Sequence, residues 1–429
     1  ILAMAVDTTC CSVVALDQKG EPLRPCLIWM DMRSAPQTEK VVATGDPALR
    51  VNSNGKGPVS AEWMIPKALW IRENEPDIFD GSETVCEYQD YINLHLTGRR
   101  TASINNASCR WHYDRARGGF PETLLDKLDL SILADKWPQK VLDLGEIVGG
   151  LTSQASEHLG LPRDLPVVQG GADAFIGMVG LGVVRPGSLA FITGSSHLHL
   201  GLSETPFHGT GVWGTYSDAL LPGMHAVEGG QTSTGSVVNW LKNLYGVEDY
   251  EALNRDALGL PPGSEGLIVQ EHFQGNRTPH TDPLSRGAFH GLTLKHTRAH
   301  LFRAVIEGVA FGSELILETL RNNGFKPERI VLAGGATRSK LWLQIHSDVS
   351  NLPLTLTEVA DAPSLGCAIL AAVGAGCYPG VQEAADAMVQ VTKTVEPDEK
   401  THQTYLPFYE NYKQTYTVMR DLRKDIERT

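Results

Sequence analysis

Apolar positions along this chain fall into two rhythms, short strand-like runs and longer helical spacings, and the two alternate. ILAMAVD and SVVALD predict strands joined by a tight polar segment, and a turn at Asp17 to Gly20 leads into a further apolar run, LRPCLIWMD. Ser34 is placed to cap a helix running through Glu39. IPKALWIRENEP carries helical spacing at Ile65, Leu69 and Ile71 and is stopped near Pro76; EYQDYINLHLTG predicts a helix ended at Gly98. SLAFITGSSHLHLGL predicts two strands around a Thr193–Ser196 turn, with QTSTGSVVNWLKNLYG a helix after it. Leu301, Val305, Val309 and Ile316 mark a long helix from Ala299 to Asn323, in which Gly308 and Gly312, one turn apart, predict close packing. IVLAGG, PLTLTEV and SLGCAILAAVGAG continue the alternation of strand and helix, and the polar segment from His402 to Arg428 predicts a surface helix. The fold class is α/β.

One punctuation occurs twice. LPVVQGGADAFIGMVGLG and IVLAGGATRSKLW each pass from an apolar run through two glycines into a helix, with Asp173 in the first copy where the second has Thr337. Glycines at such a turn let phosphate or adenine approach backbone N–H groups at the positive end of a helix, which predicts a nucleotide enzyme with two similar halves.

Composition narrows the partners. At 429 residues the chain exceeds one ordinary core, and a net charge of −13 opposes non-specific binding to a nucleic-acid backbone. No stretch approaches the ~20 apolar residues of a membrane helix. Small molecules are therefore the expected partners, not nucleic acid or membrane. The seven cysteines show no CxxC pair and no zinc spacing, which fits reduced thiols in a cytoplasmic setting.

Phosphoryl transfer needs a base for the attacking hydroxyl and charge-neutralising donors around the phosphate. Asp173 can accept that proton, or serve only as a helix cap. The Thr193, Gly194, Ser195 and Ser196 turn can wrap a phosphate, or be a plain hairpin. Gly334, Gly335 and Ala336 can pass close to adenosine, with a helix starting at Ser339. Neither a P-loop nor GxGxxG occurs. His197 and His199 share a strand face at metal-ligand spacing, but no third ligand accompanies them, and no residue is assigned to a metal. Cys10 and Cys11 suit packing or ligand contact better than redox pairing, because a disulfide between neighbours closes a strained ring. Glu228 precedes two glycines and can bind sugar hydroxyls or be a solvated loop acid. The Gly- and Pro-rich stretch from Pro261 to Gly291 is too long for a simple connector and predicts an active-site loop.

In order along the chain, DTTCCSVVALDQKGEPLRPCLIWMDMRS, VSAEWMIPKALWIRENEP, EYQDYINLHLTG, QGGADAFIGMVGLG, FITGSSHLHLG, EGGQTSTGSVVNWL, GNRTPHTDPLSRGAFHGLT and LAGGATRSKLWLQIHSDV resemble the FGGY family of carbohydrate kinases. The resemblance covers essentially the whole chain. It implies the actin-like ATPase (ribonuclease H-like) fold, with ATP and sugar in a cleft between two lobes, a sugar lobe at 1–182 and a nucleotide lobe at 183–429. It implies Asp173 as general base, Thr193 to Ser196 as the second phosphate loop, Gly334 to Ala336 with Ser339 at the adenosine site, the segment from Asp361 to Gly376 as a connecting helix, and ATP with Mg²⁺. DTTCCS departs from the sugar-binding sequence of xylulokinases, whereas SAEWMIPKALW and EGGQ resemble ribulokinases, whose sugar contacts would fall near Thr9, Cys10, Arg110, Asp173 and Glu228. The expected substrate is a ketopentose, ribulose before xylulose, with another polyol or ketose as the alternative; a homodimer is compatible with the family.

The chain opens on Ile1 inside a strand-like run, and the family's first phosphate loop has no counterpart in it. A fragment lacking that loop is expected to be unstable and inactive alone. A regulatory, non-catalytic nucleotide-binding protein is the rival reading.

Overall fold

Each of the two glycine turns follows a strand that pairs in parallel with a neighbour, but in different sheets. In a computed structural model of the chain, which describes residues 1–57 and 59–427, Ser188–Thr193 runs parallel to Arg329–Gly334 with Thr193 opposite Gly334. Two segments far apart in sequence thus leave the same sheet edge side by side. Met4–Ala5 runs parallel to Pro166–Val168, and a bridge from Thr8 to Ala172 extends that ladder, carrying Thr9 and Cys10 alongside Asp173. The carboxyl ends of parallel strands are where α/β proteins collect ligands.

The larger sheet has seven strands, in the order Gly214–Ser217, His225–Gln231, His197–Ser203, Ser188–Thr193, Arg329–Gly334, Leu354–Thr357 and Val391–Val395. Side chains on a strand alternate between faces. Leu189 and Phe191 accordingly enter one core with Val305, Val309 and Leu341, and Ala190 enters another with Phe175, Ile176 and Ile369. Helices Arg298–Asn322 and Lys340–Ser350 cover the first face; Asp173–Gly180 and Ala362–Gly374 cover the second. A third core, around Trp63, Trp111 and Trp137, is drawn from the N-terminal part of the chain, with Trp213 packed against it.

Glycine sets how closely the helix that begins at Asp173 is held. A Cβ on Gly180 would fall 1.8 Å from the carbonyl oxygen of Ala362, and one on Gly366 would fall 2.1 Å from that of Ile176. Gly366→Ala gains about 1 kcal/mol of helix propensity, but the methyl meets backbone that cannot rotate away, and overpacking of this kind costs about 1–3 kcal/mol or more. A lower denaturant midpoint at unchanged m-value is expected. A midpoint at or above wild type would show that the two helices separate without penalty.

Several expectations change. The helix that Ser34 precedes runs Ala35–Ala43, and the Ser34 hydroxyl donates to the Ala61 carbonyl instead of capping it. Beyond Gly20 only isolated bridges form, and Ile28, Trp29 and Met30 are exposed. The closing helix, Glu399–Glu427, is not simply a surface helix, because Tyr405, Tyr409, Tyr412 and Tyr416 bury one face of it; residue 428 lies outside the described residues. Gly308 and Gly312 do mark close contact, against the Val269 carbonyl and the Glu271 and Gln231 side chains. Among the described residues, no helix is long and apolar enough to cross a membrane.

Candidate active site

Asp173 is the first residue of its helix, one position beyond the N-cap Ala172. Its own N–H donates to the Thr8 carbonyl at 2.9 Å, and its carboxylate accepts the Ala174 N–H at 2.7 Å. Burial pushes the carboxyl above the usual range, and the neighbouring charge of Asp7 adds to the rise. Asp7 in turn accepts from the Cys367 thiol at 3.3 Å. The glycines just before Asp173 are structural: a Cβ on Gly170 would meet the Val6 carbonyl oxygen at 2.0 Å, and one on Gly171 would meet the Asn105 side chain at 2.9 Å. Asn105 also fixes the turn by accepting the Ala172 N–H. The expectation that both glycine pairs open backbone to a nucleotide is therefore corrected for this copy.

Beside this turn a buried charge cluster joins three segments. Arg110 ends the helix Ile104–Arg110, Glu228 lies on the strand His225–Gln231, and Arg277 comes from the irregular stretch after Pro261. Glu228 is 1% exposed and Arg110 5%. Arg110 donates to both Glu228 oxygens at 3.1 and 3.3 Å, Arg277 donates to one at 3.0 Å, and the Tyr216 hydroxyl donates to the other at 2.9 Å. Burial alone would push the Glu228 carboxyl up, but Arg110 and Arg277 hold it below its ordinary value. Glu228 is thus neither a loop acid nor free, since the guanidinium groups occupy its carboxylate. Arg277 also lies 4.1 Å over the Trp213 ring, where its charge meets the electron-rich face. The Nε atoms of Arg110 and Arg277 are buried without a protein acceptor. Arg277 was missed in the sequence, although GNRTP sits in the stretch expected to be functional.

The second glycine turn opens onto a pocket of about 510 Å³. Thr193, Gly194, Gly335, Ala336 and Ser339 line it, whereas Ser195, Ser196 and Gly334 do not. Ser195 instead accepts backbone N–H groups of Thr234 and Ser236, tying the turn to the next helix. Gly334, at φ 101°, presses on Thr193, where a Cβ would fall 1.9 Å from the Thr193 carbonyl oxygen. Gly335 faces open space. Tyr250, Glu251 and Asn254 complete the far wall, with the Ser339 hydroxyl donating to Asn254 at 2.8 Å. Nothing in the local pattern around Tyr250 announced this, because only the tertiary fold brings that helix there. His197 and His199 are used in packing: His199 stacks on Phe191 at 4.5 Å and His197 meets Trp342 edge-on at 5.4 Å. Burial holds the His199 imidazole down at about 3.

The α/β body carries a carboxylate-bearing turn at the end of a strand in its three-stranded sheet and a pocket of about 510 Å³ at the ends of two strands in its seven-stranded sheet, and comparison with known proteins gives the class. The N-terminal domain profile of the FGGY family of carbohydrate kinases matches residues 1–180, and its C-terminal domain profile matches 189–375. An FGGY carbohydrate kinase domain-containing protein of Xenopus laevis is 30% identical over 461 aligned residues, covering 96% of this chain and 83% of that protein. A ribulokinase of Bacillus licheniformis is 29% identical, covering 99% of this chain and 84% of its own length. The crystal structure of xylulose kinase from Rhodospirillum rubrum superposes with a TM-score of 0.87 at 29% identity, covering 98% of this chain and 84% of that one. The chain belongs to the FGGY family of carbohydrate kinases. Its fold is the two-lobe actin-like ATPase fold, and it is a sugar kinase of a family that takes ATP as phosphate donor.

Proposed function

We propose that this enzyme phosphorylates a ketopentose, ribulose before xylulose, with Asp173 as the general base. The observation that carries the reading is the setting of Asp173. A half-buried carboxylate with one backbone partner and a raised pKa directly follows the bridge from Thr8 to Ala172, which brings the segment holding Thr9 and Cys10 alongside it. In the reaction Asp173 takes the proton of the sugar hydroxyl as that oxygen attacks the γ-phosphorus, and ADP leaves. Thr9, Cys10 and the two guanidinium groups orient the sugar. Glu228 acts through Arg110 and Arg277, holding their remaining donors toward it. Gly335, Ala336 and Ser339 hold adenosine, and the Thr193 to Ser196 turn, at the head of the nucleotide lobe from residue 183 on, approaches the phosphates. For Mg²⁺, the hard oxygen donor that fits is the Asp7 carboxylate, beside Asp173, which is left free to act as the base.

The names of relatives, ribulokinase and xylulose kinase, support a pentulose, and the EGGQ and SAEWMIPKALW segments favour ribulose. Coupled ADP release measured across D- and L-ribulose, D- and L-xylulose and the corresponding polyols tests this. The highest kcat/KM is expected with a ribulose; a polyol above every pentulose would reassign the substrate, and sugar-independent turnover would favour the regulatory reading.

The adenosine assignment has its own test. Gly335 has ordinary backbone angles and open space before it, so Gly335→Leu folds but fills the pocket. KM for ATP is expected to rise on the order of tenfold, about 1.4 kcal/mol, with the sugar KM unchanged. An unchanged ATP KM would place adenosine elsewhere.

A further inference from the structure

Two thiols at the head of the proposed sugar site are arranged as a chelating pair. Neighbours in an extended strand point to opposite faces. At Cys11, however, φ is 64°, a left-handed conformation that disfavours residues with a Cβ, and it turns the two side chains together. The Cys11 thiol donates to the Cys10 sulfur at 3.5 Å. Cys11 is buried and Cys10 partly exposed, so a reagent meets Cys10 first with Cys11 directly behind it. The bond from Cys11 holds the Cys10 thiol below its ordinary pKa against the effect of burial, and the nearby Arg110 charge adds to the lowering.

Direct pairing of the sulfurs is disfavoured, because adjacent Cα atoms are about 3.8 Å apart and relaxed disulfides begin near ~4.4 Å. One bridging atom removes that constraint. An atom that bonds sulfur at ~2.3 Å, as in a zinc–thiolate bond, through a near-right angle joins sulfurs roughly 3.3 Å apart. The 3.5 Å separation of Cys10 and Cys11 matches that bite. Among the described residues no group of three or more His, Cys, Asp or Glu could hold a metal ion, so a two-thiol ligand set selects a centre satisfied by two sulfurs. Trivalent arsenic, pyramidal and thiophilic, is such a centre.

We propose that Cys10 and Cys11 form a dithiol site for trivalent arsenicals, and that its occupation excludes the sugar. With arsenous acid, two As–O bonds are replaced by As–S bonds, each thiol proton leaves with a hydroxyl as water, and arsenic remains trivalent. The exclusion of sugar rests on the reading of Thr9 and Cys10 as sugar contacts; the capture chemistry does not.

Phenylarsine oxide, which reacts as its hydrate in the same way, is the probe. The purified enzyme is treated with it, chased with excess glutathione to strip adducts held by one thiol, and read by intact mass and peptide mapping. One phenylarsenic group per chain is expected to survive on the peptide containing Cys10 and Cys11, and to be released by 2,3-dimercaptopropanol. Cys10→Ser and Cys11→Ser should each lose it while still binding ATP. No chase-resistant adduct on wild type, or one mapping to other cysteines, overturns the site, and peptide mapping decides this even if a serine variant misfolds. Saturating ribulose is expected to slow capture at least tenfold. Capture at an unchanged rate by an enzyme that phosphorylates ribulose overturns the exclusion. Capture by an enzyme that turns over another sugar but no pentulose upholds the dithiol and sinks the pentulose reading of the site.

Discussion

Replacing Asp173 with Asn is expected to lower kcat by about 10²–10⁴-fold, the range of general-base contributions, and to leave sugar affinity within a few-fold because the shape is kept. The pH dependence gives an independent signature. Asp173 works as the carboxylate, and burial together with Asp7 raises its pKa. The acidic limb of the wild-type kcat profile should therefore fall off above the ordinary Asp value of about 3.9, and the Asn variant should lack that limb. The stability effect runs opposite to the activity effect. A carboxyl with a raised folded pKa contributes stability below its unfolded pKa and loses it as pH rises through the folded value, so at neutral pH the ionised group strains the fold. Asp173→Asn should accordingly melt at or above the wild-type temperature. Near-normal turnover in the variant would reduce Asp173 to a helix-end residue.

Removing the charge from Glu228 should act on the fold first. Glu228→Gln leaves Arg110 and Arg277 with no anion, and breaking a buried pair from one side costs about 3–5 kcal/mol. Urea unfolding is expected to show a loss of this size, and adding Arg110→Met should recover part of it, since an apolar replacement removes the stranded charge. The sign with pH follows from the depressed Glu228 pKa, in which Arg110 and Arg277 outweigh burial. The contribution is present above the unfolded Glu value of about 4.3 and is lost as pH falls through the lower folded value. The wild type and Glu228→Gln should thus converge in stability on acidification below about pH 4. A gap that stays constant on acidification, or a variant as stable as wild type at neutral pH, would show that the cluster is held by packing alone.

Much of this architecture was legible because it rests on local periodicity. Leu189, Ala190 and Phe191 alternate as a strand between two cores must, and Gly98 ends its helix in the left-handed region, at φ 69°. The placement of Asp173 at a glycine turn was also readable. What the sequence did not disclose was partnership. Glu228 reads as an exposed acid beside two glycines, yet its strand is internal to the sheet and two arginines from distant segments converge on it. Gly170, Gly171 and Gly334 suggested ligand contact, but their missing Cβ atoms make room for Val6, Asn105 and Thr193, and only Gly335 faces open space. The tyrosines of the closing helix recur every three or four residues, a readable stripe masked by the charged residues between them.

The strand Ser188–Thr193 belongs to both large cores, with its odd positions in one and Ala190 in the other. Because side chains repeat every two residues, a one-residue insertion there would exchange the two sets and send small residues into the space shaped for Leu189 and Phe191. The same slip would break the register that sets Thr193 beside Gly334. An insertion or deletion within this strand is therefore disfavoured. This strand works as the ruler against which the two halves are spaced, and it admits no change in its count.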